Sequence, residues 1–389
     1  MKNEIASKLY NFFLLVMLFT LPVTEGLKQI SLTLFVLVGI YICVKEKRQF
    51  KFDVINVSLF IFVLATFISC LVNGVSPSRV LDPLRCMLFF FVARTVGTEK
   101  INFKFMFYAL FAGFIVAFIP ACIEKFSDQD PEAFLILKSI GHVNHSAIYI
   151  FLIFLTALLF ISNKNKNRSI NISISIICIL ALAIAGSRST AYMIPLVSVL
   201  IFSYLIYKKE VSFKLSLTLS ILFCVVFFTY LYITIAFTAD ERIYDQMSKG
   251  VQGGEFRFLI FESAFKTWQD NIFFGIGSGN FKSIDLTHFF PQSAKAHVSH
   301  SHNTFLTFLT EKGIIALLAY LVFQLSLFIK FIKNFRQSRI VFLALLMLFF
   351  QNVISLVNTT FHHENALLML LFWALALGVI DEKNSIFKN

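Results

Sequence analysis

Apolar runs of about 15–25 residues recur along the whole chain, each closed by a short polar segment, and this pattern predicts twelve membrane-spanning helices. The expected spans lie at about 9–24, 28–44, 53–72, 80–96, 104–123, 144–162, 169–186, 189–207, 212–238, 313–332, 340–359 and 366–380. Several are near the lower length limit for crossing hydrocarbon. The first is expected to be retained, because no charged segment and small-residue cleavage site frame it. The longest interruption, 239–312, is expected to be an extramembrane loop with interfacial helices. It separates an N-terminal bundle of about nine spans (1–238) from about three C-terminal spans and a tail (313–389).

Composition strengthens the choice of an all-α polytopic membrane protein over a large soluble domain. Only 14% of residues are charged and 50 of the 389 are phenylalanine, whereas a soluble chain carries roughly 25% charge. The cysteines (Cys43, Cys70, Cys86, Cys122, Cys178, Cys224) all fall in or beside apolar runs and read as small packed hydrophobes, with no metal-ligand spacing. The formal net charge of +12 gathers in short loops and at the termini, so topology explains it better than nucleic acid does. Basic residues concentrate on alternate loops, at Lys45, Lys47, Arg48 and Lys51, at Lys164, Lys166 and Arg168, at Lys208, Lys209 and Lys214, and at Lys330, Lys333, Arg336 and Arg339. The positive-inside rule then places both termini in the cytoplasm and the long loop outside the membrane.

Chemistry concentrates on the outer side. Arg188, flanked by Ser187 and Ser189, occupies a tight turn between two apolar runs, where a guanidinium is costly unless it is solvated or grips an anion. Arg257 falls at the start of an expected helix over 254–268, on the side of Ile260, Phe261, Ala264, Phe265 and Trp268, so it is expected to point inward; snorkelling to headgroups is the competing role. The run FGIGSGN, with Gly275, Gly277 and Gly279, lacks the spacing of a dinucleotide loop and reads as a tight turn that lets backbone approach closely.

His288, His297, His300 and His302 lie in the long loop. No metal site is expected from them. His302, followed by Asn303 and an apolar run, sits at the water–lipid boundary, where an imidazole can take a proton from a sugar hydroxyl. A second outer loop, 124–144, is expected to hold a short helix between Pro131 and Gly141, with His142 and His145 at the mouth of the next span. His362 and His363 mark the last outer turn and are candidate lining for an acceptor entrance.

The ordered set Ser187-Arg188-Ser189, Arg257 before a helix, the turn from Phe274 to Phe281, His302-Asn303-Thr304-Phe305-Leu306 and Glu311-Lys312-Gly313 resembles the O-antigen ligase and O-antigen polymerase family of bacterial inner membranes. The resemblance implies a membrane-embedded glycosyltransferase with a periplasmic active site. Arg188 and Arg257 would contact the diphosphate of an undecaprenyl-linked glycan, and His302 would activate the acceptor hydroxyl. Ser187, Ser189, Asn303, His142, His145, Gly277 and Gly279 would assist substrate binding. It implies no cofactor, because the diphosphate leaving group supplies the driving force, and it implies inversion at the anomeric carbon. The expected partners are lipid A–core as acceptor, membrane lipids and polysaccharide assembly proteins.

The block from His142 to Ser146 favours a ligase. The nearly balanced charge of the long loop favours instead a polymerase that joins lipid-linked repeats. A lipid-linked glycan flippase is a third reading, but the polar residues gather on one side rather than in paired halves.

Overall fold

The computed structural model describes residues 2–127, 135–162, 168–185, 187–226, 228–229, 232, 253–284, 300–361 and 363–386. Their helices in chain order are α1 (Lys2–Thr20), α2 (Glu25–Lys45), α3 (Val54–Val72), α4 (Leu81–Val96), α5 (Phe103–Ser127), α6 (Val143–Leu159) and α7 (Arg168–Ala185). There follow α8 (Arg188–Ala191), α9 (Met193–Tyr207), α10 (Phe213–Val226), α11 (Gly253–Gln269), α12 (Thr304–Asn334), α13 (Arg339–Ser355) and α14 (His363–Ile386). Two 3₁₀ turns, Pro77–Val80 and Phe281–Ser283, complete the described elements.

The chain is an all-α multi-pass membrane protein, with six rather than twelve helices long and apolar enough to cross a bilayer among the described residues. These are α2, α3, α5, α7, α12 and, over His363–Glu382, α14. The remaining apolar runs fail on length or charge. The helices α6, α9, α10 and α13 are shorter than the roughly 20 residues a span needs. The 16 residues of α4 carry Asp82, Arg85 and Arg94, and α1 opens with Lys2, Glu4 and Lys8. The expected helix in 124–144 is corrected in part: residues 138–140 form a turn, closed by Gly141 N–H donating to Leu137 O at 3.0 Å. Its expected start at Pro131 lies outside the described residues.

Burial sorts the helices by depth. All of α6 from Ser146 to Leu159 is buried, as is α14 from Glu364 through Leu377. A helix apolar on every face belongs in the interior, and these two form the centre of the bundle. Helices α2 and α3 bury one face and expose Ile30, Leu37, Phe60 and Phe67 on the other, which suits contact with lipid. The cysteines are free.

One end of the bundle is closed by ion pairs. Arg94 of α4, 5% exposed, donates to Asp53 Oδ1 at 2.9 Å and Asn56 Oδ1 at 2.8 Å, and lies 3.4 Å from Asp381 Oδ2. Asp53 also caps α3 by accepting from Asn56 N–H at 3.1 Å. Asp381 receives Lys51 as well, at 2.9 Å. The α1 side chain Asn11 accepts from Asn102 N–H at 3.0 Å near this end, where Lys100 pairs with Glu46. The first half of α1 and the last turns of α14 therefore share one end.

At the other end α12 is broken. Gly313 takes φ 79° and ψ 179°, a conformation open essentially to glycine alone. The break releases carbonyls that the helix would have used, and neighbours satisfy them. Thr310 O accepts from Ile276 N–H and Glu311 O from Gly277 N–H, each at 2.9 Å, while Glu311 O also accepts from Ser69 Oγ at 2.8 Å. A Cβ on Gly313 would stand 2.1 Å from Phe273 O, so the two strands of backbone approach as closely as glycine permits. Helix α11 lies against α12 through Ile260 and Ala264, and Thr310 Oγ1 donates to Ala264 O at 3.1 Å.

Candidate active site

The site is built on the start of α12. Asn303 Oδ1 accepts from Leu306 N–H at 3.0 Å and so caps the helix, while its amide donates to Leu356 O at 3.2 Å. His302 immediately before it has φ 56°, an uncommon conformation for a residue with a side chain and one that concentrates at functional positions. The buried Ser301 hydroxyl fixes this corner by donating to Asn303 O at 2.8 Å. The expected binding residue Asn303 thus serves first to aim His302.

Three further histidines join it. The His300 and His302 rings are 4.7 Å apart, His142 and His145 are 5.1 Å apart, and His300 lies 6.4 Å from His142 and 6.5 Å from His145. His142 caps α6, its Nδ1 accepting from Asn144 N–H at 3.2 Å. The chain thus unites in space two histidine pairs that are more than 150 residues apart in sequence. His302 Nδ1 is buried and has no hydrogen-bond partner among the described residues.

Burial, the Arg257 guanidinium and then His142 all disfavour the charged imidazole and hold the His302 pKa below its ordinary value. Burial lowers that of His142, and it pushes that of His300 down to about 4, helped by its two histidine neighbours. The lowered pKa values favour the neutral form of these imidazoles.

The cluster borders a cavity of about 800 Å³. His142, His145, His300 and His363 line it together with Arg79, Asp82, Glu311 and Lys312. The cavity descends past Thr304 and Thr307 to Leu59 and Phe62 of α3. Since Phe62 is ten residues before Val72 at the end of α3, the floor lies roughly 15 Å below that end.

The other sequence-predicted residues divide as follows. The Arg188 turn reaches the site: Ser189 Oγ accepts from Asn358 Nδ2 at 2.8 Å, and Asn358 O accepts from Thr304 Oγ1 at 3.1 Å. Ser187 is buried, 3.4 Å from Ser189 between hydroxyl oxygens. The Arg188 side chain lies outside what is described. Arg257 is on α11 as expected, but it is exposed rather than inward, because only Ile260, Ser263 and Ala264 further along α11 are fully covered. Phe265, expected on the covered face, is also exposed.

Gly277 donates its N–H to the α12 break, and Gly279 passes so close beneath Arg79 that a Cβ would stand 3.4 Å from the guanidinium carbon. His288, His297 and His362 lie outside the described residues.

Sequence reasoning did not single out Arg79 as a site residue, nor the inward placement of Lys312. A signal for Lys312 existed: it is a cation followed by an uninterrupted apolar run, the same reason that drew attention to Arg188. His300 was considered only as a metal ligand; nothing in the loop sequence indicated that it would meet His142.

The molecule is a multi-pass helical bundle with a cavity that histidines and charged side chains line. Residues 173–321 match the family model for O-antigen ligase, so a domain of that family is present over this part of the chain, consistent with an enzymatic role and a glycan-type substrate. No curated protein matches the chain. The matched segment holds Arg188, Arg257, His302 and Lys312, while Arg79, His142, His145 and His363 reach the cavity from outside it.

Proposed function

We propose that the protein is an O-antigen ligase: it transfers a glycan from undecaprenyl diphosphate to a sugar hydroxyl of lipid A–core, on the periplasmic face, with both termini cytoplasmic. The observation that supports this reading is His302, held left-handed and unpartnered at Nδ1 among the described residues, within reach of the Arg257 charge and 4.7 Å from the ring of the cavity-lining His300.

In the reaction the acceptor oxygen attacks the anomeric carbon and its proton passes to the neutral His302 imidazole. The bond from that carbon to the diphosphate breaks, and the leaving oxygen takes the electron pair. Arg188 and Arg257 stabilise the charge that develops there. Attack opposite the leaving group inverts the anomeric centre, and neither nucleotide nor metal has a part in the step.

The test is purified protein mixed with defined undecaprenyl-diphosphate glycan and lipid A–core. Glycan attached to lipid A with inverted configuration is expected, and His302→Ala should reduce the rate by about 10²–10⁴ at unchanged abundance. Elongated lipid-linked glycan without modified lipid A would make the protein a polymerase. Absence of both products, with lipid-linked glycan moved across vesicle membranes, would make it a flippase.

A further inference from the structure

Lys312 is 8% exposed and faces the cavity from α12. Its Nζ lies 4.6 Å from the centre of the Phe62 ring and 4.4 Å from that of Phe308. Among the described residues it has no hydrogen bond or ion pair. Aromatic faces stabilise an ammonium only modestly, so this cation is held at depth with most of its binding capacity unspent.

The carboxylates on the same wall are already engaged. Glu311 Oε1 accepts from Phe281 N–H at 3.2 Å, and Asp82 is paired with Arg85. The Arg79 guanidinium, beside Gly279, likewise has no ion pair or hydrogen bond among the described residues. Lys312 and Arg79 thus line one cavity, together with Thr304 and Thr307 of α12.

We propose that Lys312 and Arg79 form an anion subsite, separate from the arginines assigned to the donor, which binds a phosphate or carboxylate group of the acceptor lipid. The inference rests on the transferase reading above for the identity of the two substrates. Its own ground is the division of charge around the histidines. Arg257 acts on the His302 charge but does not line the cavity, whereas Lys312 and Arg79 do. A two-substrate reaction needs sites on both sides of the proton-accepting group. If the donor diphosphate lies with Arg257, the cavity and its cations are left to the acceptor. A lysine serves there as a point charge that tolerates several anion geometries.

The experiment measures equilibrium binding to the full-length protein in nanodiscs, with three probes: lipid A–core carrying its phosphates, the same lipid after enzymatic dephosphorylation, and undecaprenyl diphosphate. The wild type should bind the phosphorylated acceptor on the order of tenfold more tightly than the dephosphorylated one. Lys312→Met should remove that difference while leaving undecaprenyl-diphosphate binding within about twofold, and Lys312→Arg should restore part of it. Arg79→Gln, at an exposed position, provides the same test should Lys312→Met fail to fold.

Equal weakening for both forms of the acceptor would overturn the subsite in favour of a packing role. Weakened binding of undecaprenyl diphosphate instead would assign these cations to the donor and overturn the acceptor assignment. Binding as expected without glycan transfer would retain the subsite and sink the ligase reading. Transfer with no sensitivity to the acceptor's phosphates would do the reverse.

Discussion

Arg94 and Lys312 are both buried cations in the helical bundle, yet they have opposite surroundings. Arg94 is enclosed by Asp53, Asn56 and Asp381, so its charge is neutralised within the chain through its two terminal nitrogens, while its buried Nε has no hydrogen-bond partner among the described residues. Lys312 has two phenyl rings and a cavity. The first arrangement locks α3, α4 and α14 together. The second sets only two aromatic faces and the charge of the neighbouring Glu311, with no direct ion pair, against desolvation, a state that a fold selected for stability alone would remove. The difference separates a structural charge from one available to a ligand. Lys28, 1% exposed and paired with Glu364 near the cavity end, shows that the same bundle can also neutralise a buried lysine.

The largest effect is expected where backbone, not charge, maintains the cavity end. Gly313→Ala would force a side chain onto a backbone conformation reserved for glycine and against Phe273 O, 2.1 Å from where the Cβ would stand. Strain and overpacking together should cost about 4 kcal/mol, seen as a lowered unfolding midpoint in detergent and loss of transfer. A variant of wild-type stability would mean that the Phe273–Gly313 contact can relax, and that the Lys312 position is not fixed by it.

Arg94→Met comes next. It strands Asp53, while Asp381 keeps Lys51, and should destabilise by about 3 kcal/mol, the low end for breaking a buried pair because Asp53 keeps some contact with water. Transfer per folded molecule should be unchanged. Lys312→Met should behave differently, with stability altered by less than about 1 kcal/mol or raised, because an unpaired buried charge is replaced by an apolar chain of similar length. Equal destabilisation by the two methionine substitutions would erase the distinction between the ends.

Some of the local structure was legible in sequence. The helix carrying Arg257 and the close-packed turn through Gly275 and Gly277 follow from residues near one another in the chain, whereas the cap of α12 by Asn303 was not read there. What was not legible depends on pairing between distant helices. Periodicity identifies an apolar run but does not say whether lipid or protein covers it, so fully buried α6 and half-lipid-facing α3 look alike in sequence. That same ambiguity inflated the number of spans. His300 meets His142, and Arg79 meets Gly279, only after α3, α6 and α12 are packed together. Lys312 was visible as a charge in the sequence, but the absence of a partner is a property of the fold.

The smallest expected effect is a shift in pH dependence, and it tests whether Arg257 acts on His302 as well as on the donor. Burial lowers the His302 pKa first, then the positive charge of Arg257, then His142, so the imidazole remains a free base at pH values below the ordinary 6.5. With His302 as the base, kcat should be flat through neutrality and fall only once acid protonates the ring. Arg257→Gln removes one of the charges opposing that protonation. The pKa must then rise, and the acid limb of kcat must move to higher pH by a fraction of a unit, measured at saturating donor so that weaker diphosphate binding does not intrude. A raised donor KM with an unmoved limb would confine Arg257 to the diphosphate. A limb that moves to lower pH would contradict the electrostatics outright, since loss of a nearby positive charge cannot make an imidazole harder to protonate unless the variant buries it more deeply.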